Sequence, residues 1–282
     1  MSVWRLNDLE LSFPPPLAAG IVNVTVDSFY AAARSATAEQ AVADGLSLVE
    51  AGFDMLDVGA VAARSGSPVT AESESEKLVP AIEQLVAQSG VPVLADTFSP
   101  EVARRAIDAG ASAINDIGGG EDAMLELVAE TGCGYVLMHI EGPPRVDRPS
   151  PHYADDVVEH MKRWFAERLE RALELGCDAK QIALDPGPDF DLTTEDDLEV
   201  LRRLGELRTL GRPLFVALSR KDFLGAVVAG SWAKRVGPEL RGPATLAATA
   251  LAVAAGAEML RLHDADALDA MRTAAAITAG AR

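Results

Sequence analysis

Short runs of Val, Ile, Leu and Ala alternate along this chain with longer stretches in which apolar residues recur at helical spacing, beginning at Leu17. The short runs suit buried strands and the longer stretches suit amphipathic helices, so the pattern predicts strand followed by helix throughout. Predicted strand Leu17–Val24 precedes helix Thr37–Ala51, Met55–Val58 precedes Glu74–Gln88, Val91–Asp96 precedes Pro100–Ala109, and Ser112–Asp116 precedes Ala123–Thr131. Strand Tyr135–His139 leads through a polar, Pro-rich stretch to the long helix Ala154–Leu175. Gln181–Asp185 then precedes Thr194–Thr209, Pro213–Leu218 precedes Ser219–Ala229, and Glu258–Leu262 precedes Ala265–Thr278. Helix seven is split, because Gly242–Ala255 is also strongly helical and the loop around Trp232–Pro238 joins its two parts.

Strand alternating with helix means a parallel sheet, and eight such units in about 250 residues have the dimensions of a closed α/β barrel, a single (β/α)8 TIM barrel. An open, doubly wound sheet is the competing arrangement. Its G-x-G-x-x-G turn after the first strand is absent, and Gly118-Gly119-Gly120 is too short to stand in for it. A chain of 282 residues, 49% hydrophobic, can build one large core, so residues 1–282 are expected to form one domain.

Composition narrows the function. No run of about 18 uncharged apolar residues is present to span a bilayer. The start of the chain lacks the basic, apolar and small-residue sections of a secretory signal, so a cytoplasmic location is expected. The two cysteines, Cys133 and Cys177, have no metal-ligand or C-x-x-C spacing and are expected to be free packing residues. A formal net charge of −18 opposes nucleic acid and anionic membranes as partners.

In a parallel barrel, residues at the strand ends converge on one face, so the polar groups there belong together. Asn23, Asp57, Asp96, Asn115, Asp116, His139, Asp185, Ser219, Arg220, Lys221, Arg261 and His263 all fall at or just past a strand's last apolar residue. Asp96, Asn115 and Asp185 offer donors and acceptors for the edge of a flat polar ring, and Lys221, Arg261 and His263 offer a seat for an anion. A heteroaromatic ligand carrying phosphate fits that set. Taken singly the same residues have plainer roles, with Asp96 and Asp116 as helix N-caps and Asp185-Pro186-Gly187 as a turn. His139 is expected to line the pocket, and His152 and His160 to lie at the surface.

Seven strings in order carry a resemblance: Gly20-Ile21-Val22-Asn23-Val24-Thr25-Val26-Asp27-Ser28-Phe29, Ala95-Asp96-Thr97, Ala113-Ile114-Asn115-Asp116, Leu137-Met138-His139, Leu184-Asp185-Pro186-Gly187, Leu218-Ser219-Arg220-Lys221 and Arg261-Leu262-His263-Asp264. From about residue 18 to 278 the chain resembles the dihydropteroate synthases. That resemblance implies a transferase of folate biosynthesis that joins 6-hydroxymethyl-7,8-dihydropterin diphosphate to p-aminobenzoate, with Mg²⁺ as cofactor and a homodimeric assembly. It implies that Asp96, Asn115, Asp185, Lys221 and Arg261 hold the pterin, with Asp96, Lys221 and Arg261 closest to the chemistry. It assigns the diphosphate to Asn23, Arg261 and His263, the metal to Asn23, and the second substrate to Arg64, Phe190 and Ser219.

The chain also departs from the family pattern on the second-substrate side. The first loop usually reads N-V-T-P-D-S-F-S-D-G-G, and here Val26 replaces Pro, Tyr30 replaces Ser and Ala31-Ala32-Ala33 replaces Asp-Gly-Gly. The second usually reads G-G-E-S-T-R-P-G, and Gly59-Ala60-Val61-Ala62-Ala63-Arg64-Ser65-Gly66 keeps only its Arg among the polar side chains of that pattern's centre. After the sixth strand, Asp189 and Asp191 stand where small Gly residues are usual, and Leu192 where a Lys is. A pterin-binding paralogue that lacks the synthesis, or uses another second substrate, is therefore the alternative, and an unrelated barrel enzyme acting on phosphate ligands is a further one.

Overall fold

The computed structural model describes residues 2–24, 37–63, 68–146, 153 and 156–279. Its core is an eight-stranded parallel sheet built from β3 (Leu17–Asn23), β4 (Met55–Gly59), β5 (Val93–Asp96), β6 (Ala113–Asp116), β7 (Gly134–Met138), β8 (Ile182–Asp185), β9 (Phe215–Val216) and β10 (Met259–Leu262). Neighbours follow chain order from β3 to β8, and β10 lies between β3 and β9. The remaining seam closes through a parallel bridge, Leu184 to Leu214, so the sheet is a barrel and the open alternative is excluded.

That seam is thin. A longer strand, Pro213–Leu218, is expected from the apolar run, yet only Phe215 and Val216 pair with β10. The buried Glu258 helps hold the adjoining backbone, since its carboxylate accepts from the Leu214 N–H at 2.9 Å and from the Ser2 hydroxyl at 2.9 Å.

Two strands that the strand–helix pattern does not predict precede the barrel. β1 (Ser2–Leu6) and β2 (Leu9–Phe13) form an antiparallel hairpin. Its residues Trp4, Leu6 and Phe13 are buried in one cluster with Ala19, Met55, Leu94, Ala113, Val136, Ala183, Phe215 and Met259, one residue from each barrel strand. The hairpin thus plugs the barrel interior at the end away from the polar strand ends. A Cβ on Gly134 would lie 2.1 Å from Leu6, so glycine is what lets the plug seat. Among other contacts, the Trp4 indole N–H donates to the Gln181 carbonyl at 2.7 Å.

The helices lie outside, over the larger core that includes Val22, Leu56, Leu78, Ile114, Leu137, Phe165 and Leu260. They are α1 (Ala38–Glu50), α2 (Ala71–Ser89), α3 (Pro100–Asp108), α4 (Asp122–Thr131), α5 (Val157–Glu174), α6 (Thr194–Arg202), α7 (Leu204–Leu207), α8 (Asp222–Ala229), α9 (Gly242–Ala254) and α10 (Ala265–Thr278). Thr37, Thr70, Ser99, Asp156, Thr193 and Asp264 cap six of them with side-chain oxygens. The single helix expected over Thr194–Thr209 breaks at Arg203, whose guanidinium is drawn to Asp156 at 2.8 Å and to Glu206. Both cysteines are buried and free, as expected. Among the described residues, no helix is long and apolar enough to cross a membrane.

Candidate active site

The strand register brings distant polar residues into layers at one mouth of the barrel. Asn23 pairs with Gly59, Gly59 with Asp96, and Asp96 with Asn115. Gly59 matters here because a Cβ at that position would come within 3.2 Å of Asp96. Asp116 and Asp185 end β6 and β8, Ser219, Arg220 and Lys221 link β9 to α8, and Arg261 and His263 lie in and just after β10.

Arg261 organises the centre. Its Nη2 donates to Asp96 Oδ2 at 2.6 Å and its Nε donates to Asp57 Oδ2. The Asn115 amide donates to the same Asp57 oxygen at 3.0 Å. Asp57 is wholly buried, and its Oδ1 has no hydrogen-bond partner. Sequence position put Asp57 among the strand-end residues without a role; its partner is far away in the chain and visible only in the fold.

Burial controls the charges. It pushes the Asp96 carboxyl up to about 7, against the pull of Arg261, with the neighbouring charges of Asp57 and Glu74 adding to the rise. Burial also raises Asp185 to about 6, opposed by its hydrogen bond from the Gly187 N–H and by the charges of Lys221 and Arg261. For Arg261 burial is the largest single influence and disfavours the cation, but Asp57 and Asp96 together outweigh it and the guanidinium stays charged. Burial first, then Arg261, Arg220 and Lys221, lower His263 to about 3, so it is a neutral imidazole. Its Nδ1 lies 2.8 Å from the Ser219 hydroxyl.

Asp96 and Asp116 are not helix caps: Ser99 caps α3, and Glu121 stands at the N-cap of α4. Asp116 instead accepts from the Gly118 N–H at 2.6 Å, the Gly120 N–H at 3.3 Å and the Tyr135 hydroxyl at 2.6 Å, bracing the loop after β6. His139, expected to line the pocket, is absent from the lining of the cavity described below. It is fully buried with its ring 5.0 Å from that of Trp164, and its Nε2 meets Glu141 at 3.2 Å.

A cavity of about 790 Å³ borders the loop after β8, where Phe190 lines it and packs under Lys221. Its lining residues include Ala63, Arg145, Phe190, Trp232 and three acidic residues, Asp189, Asp191 and Glu195. The Lys221 ammonium sits 4.7 Å over the Phe190 ring and donates to the Pro188 carbonyl at 2.9 Å. Arg64, with loop residues 25–36, lies outside the described residues.

The two unusual aspartates have a backbone reason and a packing consequence. Asp189 and Asp191 take positive φ values of 70° and 56°, the left-handed conformation that glycine adopts freely and aspartate tolerates. Lys221, at the N-cap of α8, makes no side-chain cap bond. Asp189 supplies the cap from another loop, accepting from the Asp222 N–H at 2.5 Å and the Phe223 N–H at 2.8 Å. An acidic side chain is thereby fixed at the N-terminus of α8, next to Lys221 and Phe190.

The family model of pterin-binding enzymes matches residues 19–263. The dihydropteroate synthase of Escherichia coli (strain K12) is 34% identical over 267 residues, covering 94% of this chain and 92% of that protein. A protein named inactive dihydropteroate synthase 2, from Mycobacterium leprae (strain TN), is 40% identical over 254 residues, covering 88% of this chain and 85% of its own length. The structure of Xanthomonas albilineans dihydropteroate synthase in complex with 7,8-dihydropteroate superposes with a TM-score of 0.84 at 37% identity, covering 99% of both chains. Barrel, strand-end residues and likeness over nearly the whole length agree: this chain belongs to the dihydropteroate synthase family of pterin-binding enzymes.

Proposed function

We propose that this protein is a transferase that condenses 6-hydroxymethyl-7,8-dihydropterin diphosphate with p-aminobenzoate, giving 7,8-dihydropteroate and diphosphate in the cytoplasm. The observation that carries this reading is the Arg261 guanidinium held by Asp57 and Asp96 beside Asn115, with Asp185 and Lys221 at the same barrel mouth. Asp96, Asn115 and Asp185 present donors and acceptors to the edge of the pterin, and Arg261 and Lys221 supply positive charge toward the diphosphate. As the C–O bond to diphosphate breaks, positive charge develops on the pterin methylene carbon and the buried carboxylates stabilise it. The arylamine nitrogen then forms the C–N bond and releases a proton. No covalent enzyme intermediate is required.

Mg²⁺ belongs to this reading, and the donor set fits it in part. Asn23 offers a hard amide oxygen at the end of β3, suited to an ion that keeps waters and binds phosphate oxygens. Neutral His263, linked to Ser219, suits a hydrogen bond to the diphosphate better than a magnesium ligand. Bound there, the ion would neutralise charge on the leaving group. A homodimer is expected as well, with exposed Leu251 on α9 and Ile277 on α10 offering an apolar face; light scattering in solution tests it.

A second reading has its own support: binding of the pterin without this synthesis. The inactive Mycobacterium leprae relative is 40% identical, and the cavity lined by Phe190 also has three acidic residues in its lining, against a second substrate that is itself an anion. A direct assay with the pterin diphosphate and p-aminobenzoate, run beside calorimetric binding of the pterin diphosphate, separates the two. Binding with turnover supports the synthase, and binding without turnover supports the alternative.

A further inference from the structure

Behind the barrel mouth, where β7 gives way to its loop, three side chains of metal-binding chemistry converge and take no part in the site described above. His139 follows β7, Glu141 stands two residues on, and His160 projects from the first turn of α5. The Nε2 atoms of both imidazoles meet the same oxygen, Glu141 Oε1, at 3.2 Å and 2.5 Å. The three ligand atoms lie within 4.8 Å of one another, and among the described residues this is the one group of its kind.

The surroundings favour a fixed site over a chance surface contact. His139 is wholly buried, with its ring edge-on to Trp164 at 5.0 Å and to Phe165 at 6.2 Å, so its position is set by packing. Its Nδ1 is also buried and has no hydrogen-bond partner. Tyr153 packs edgewise on His160 with ring centroids 4.9 Å apart and lies 6.3 Å from the His139 ring. Glu141 is oriented through its backbone, whose N–H donates to Asp191 Oδ2 at 3.0 Å. Two imidazoles and a carboxylate are the donors that zinc and its neighbours in the first transition row select, whereas magnesium and calcium prefer oxygen alone.

We propose that His139, Glu141 and His160 form a two-histidine, one-carboxylate site for a divalent transition metal of the zinc class, pinning the loop after β7 to α5. Ligand bonds of about 2.0–2.1 Å place tetrahedral ligands roughly 3.3 Å apart. His139 and Glu141 already stand at that spacing, and His160, 36% exposed and now 2.5 Å from Glu141, would shift by less than about 1 Å relative to that oxygen to match it, on the same bond lengths. Ile140, between two of the ligands, and Asp191, bonded to Glu141, both line the cavity beside Phe190. The ion would therefore stiffen one wall of that cavity without touching the pterin residues.

The test uses the full-length chain, stripped with chelator and titrated with Zn²⁺ by calorimetry, then with Co²⁺ followed by visible absorption. One equivalent of Zn²⁺ is expected, with a Co²⁺ spectrum typical of a four-coordinate nitrogen–oxygen site. Both His160→Ala and Glu141→Gln should weaken Zn²⁺ by well over tenfold, since loss of outer partners alone costs about 10–100-fold. His263→Ala should leave the Zn²⁺ isotherm unchanged. Zn²⁺ should also raise the melting temperature of the unaltered protein and not of His160→Ala, a surface change that leaves the core intact. Zn²⁺ binding that persists unaltered in His160→Ala, or no binding at micromolar Zn²⁺, overturns the proposal.

Discussion

Arg261 and Asp96 meet at 2.6 Å across the barrel mouth while the same guanidinium holds the fully buried Asp57, so one side chain from β10 neutralises carboxylates from β4 and β5. Removing it leaves two buried acids without their cation. Arg261→Ala is expected to lower stability by about 3 kcal/mol, the low end for a broken buried pair because the arginine side chain keeps 18% exposure. Adding Asp57→Asn should recover part of that loss. Urea unfolding measures both, and a loss under about 1 kcal/mol, the size of an exposed pair, would contradict the assignment.

The raised Asp96 carboxyl predicts a pH dependence with a definite sign. Its folded value of about 7 lies above the unfolded value of about 3.9, so the folded chain binds more protons between them. Stability contributed by this group is present below about pH 4 and is lost as pH rises toward 7. Asp96→Asn has no such slope, and its melting temperature relative to the unaltered protein should climb between pH 4.5 and 7.5. A constant difference across that range would show that Asp96 does not titrate there.

Asp185 binds its own loop through the Gly187 N–H at 2.9 Å and retains acceptor capacity at the barrel mouth. Asp185→Ala should weaken calorimetric binding of the pterin diphosphate by ~1–3 kcal/mol, the cost of unpaired buried polar groups. Unchanged affinity would remove it from the pterin site.

Asp189 both caps α8 and is one of the residues lining the cavity. For Asp189→Gly, loss of the cap should cost ~1 kcal/mol, partly offset because glycine relieves the positive φ. With one acidic residue fewer in the cavity lining, KM for p-aminobenzoate should fall while kcat changes little, the pattern of altered uniform binding. A KM that stays fixed would mean that this carboxylate does not face the second substrate.

Ala63 lines the cavity, and Ala31 falls outside the described residues; both replace polar residues of the family pattern. Turnover should be slow and poorly inhibited by sulfonamides, and Ala31→Asp with Ala63→Thr should increase it by restoring the polar groups of the family pattern. Steady-state assays decide. Ordinary rates of ~1–10³ s⁻¹ in the unaltered protein, blocked by low sulfonamide concentrations, would show that the loop changes are tolerated.

By itself the sequence determined the repeating unit and the polar strand ends. Buried parallel strands must be short apolar runs and their covering helices must be amphipathic, so local pattern suffices to find them, as with Met259–Leu262 followed by Ala265–Thr278. It also placed Asn23, Asp96, Asn115, Asp185 and Arg261 at the end of the barrel where they belong. The hairpin was half legible, since Trp4 with Leu6 and Leu9 with Leu11 and Phe13 alternate as strand residues do, but nothing local says that they plug a barrel. Only the tertiary structure decided which polar groups became partners. Asp57 and Arg261 are separated by 204 positions, Asp189 caps a helix 33 residues on, and Glu141 gathers His139 and the distant His160. Local periodicity reports which face of an element is buried, whereas pairing across the mouth depends on how eight strands close, which is a property of the whole chain.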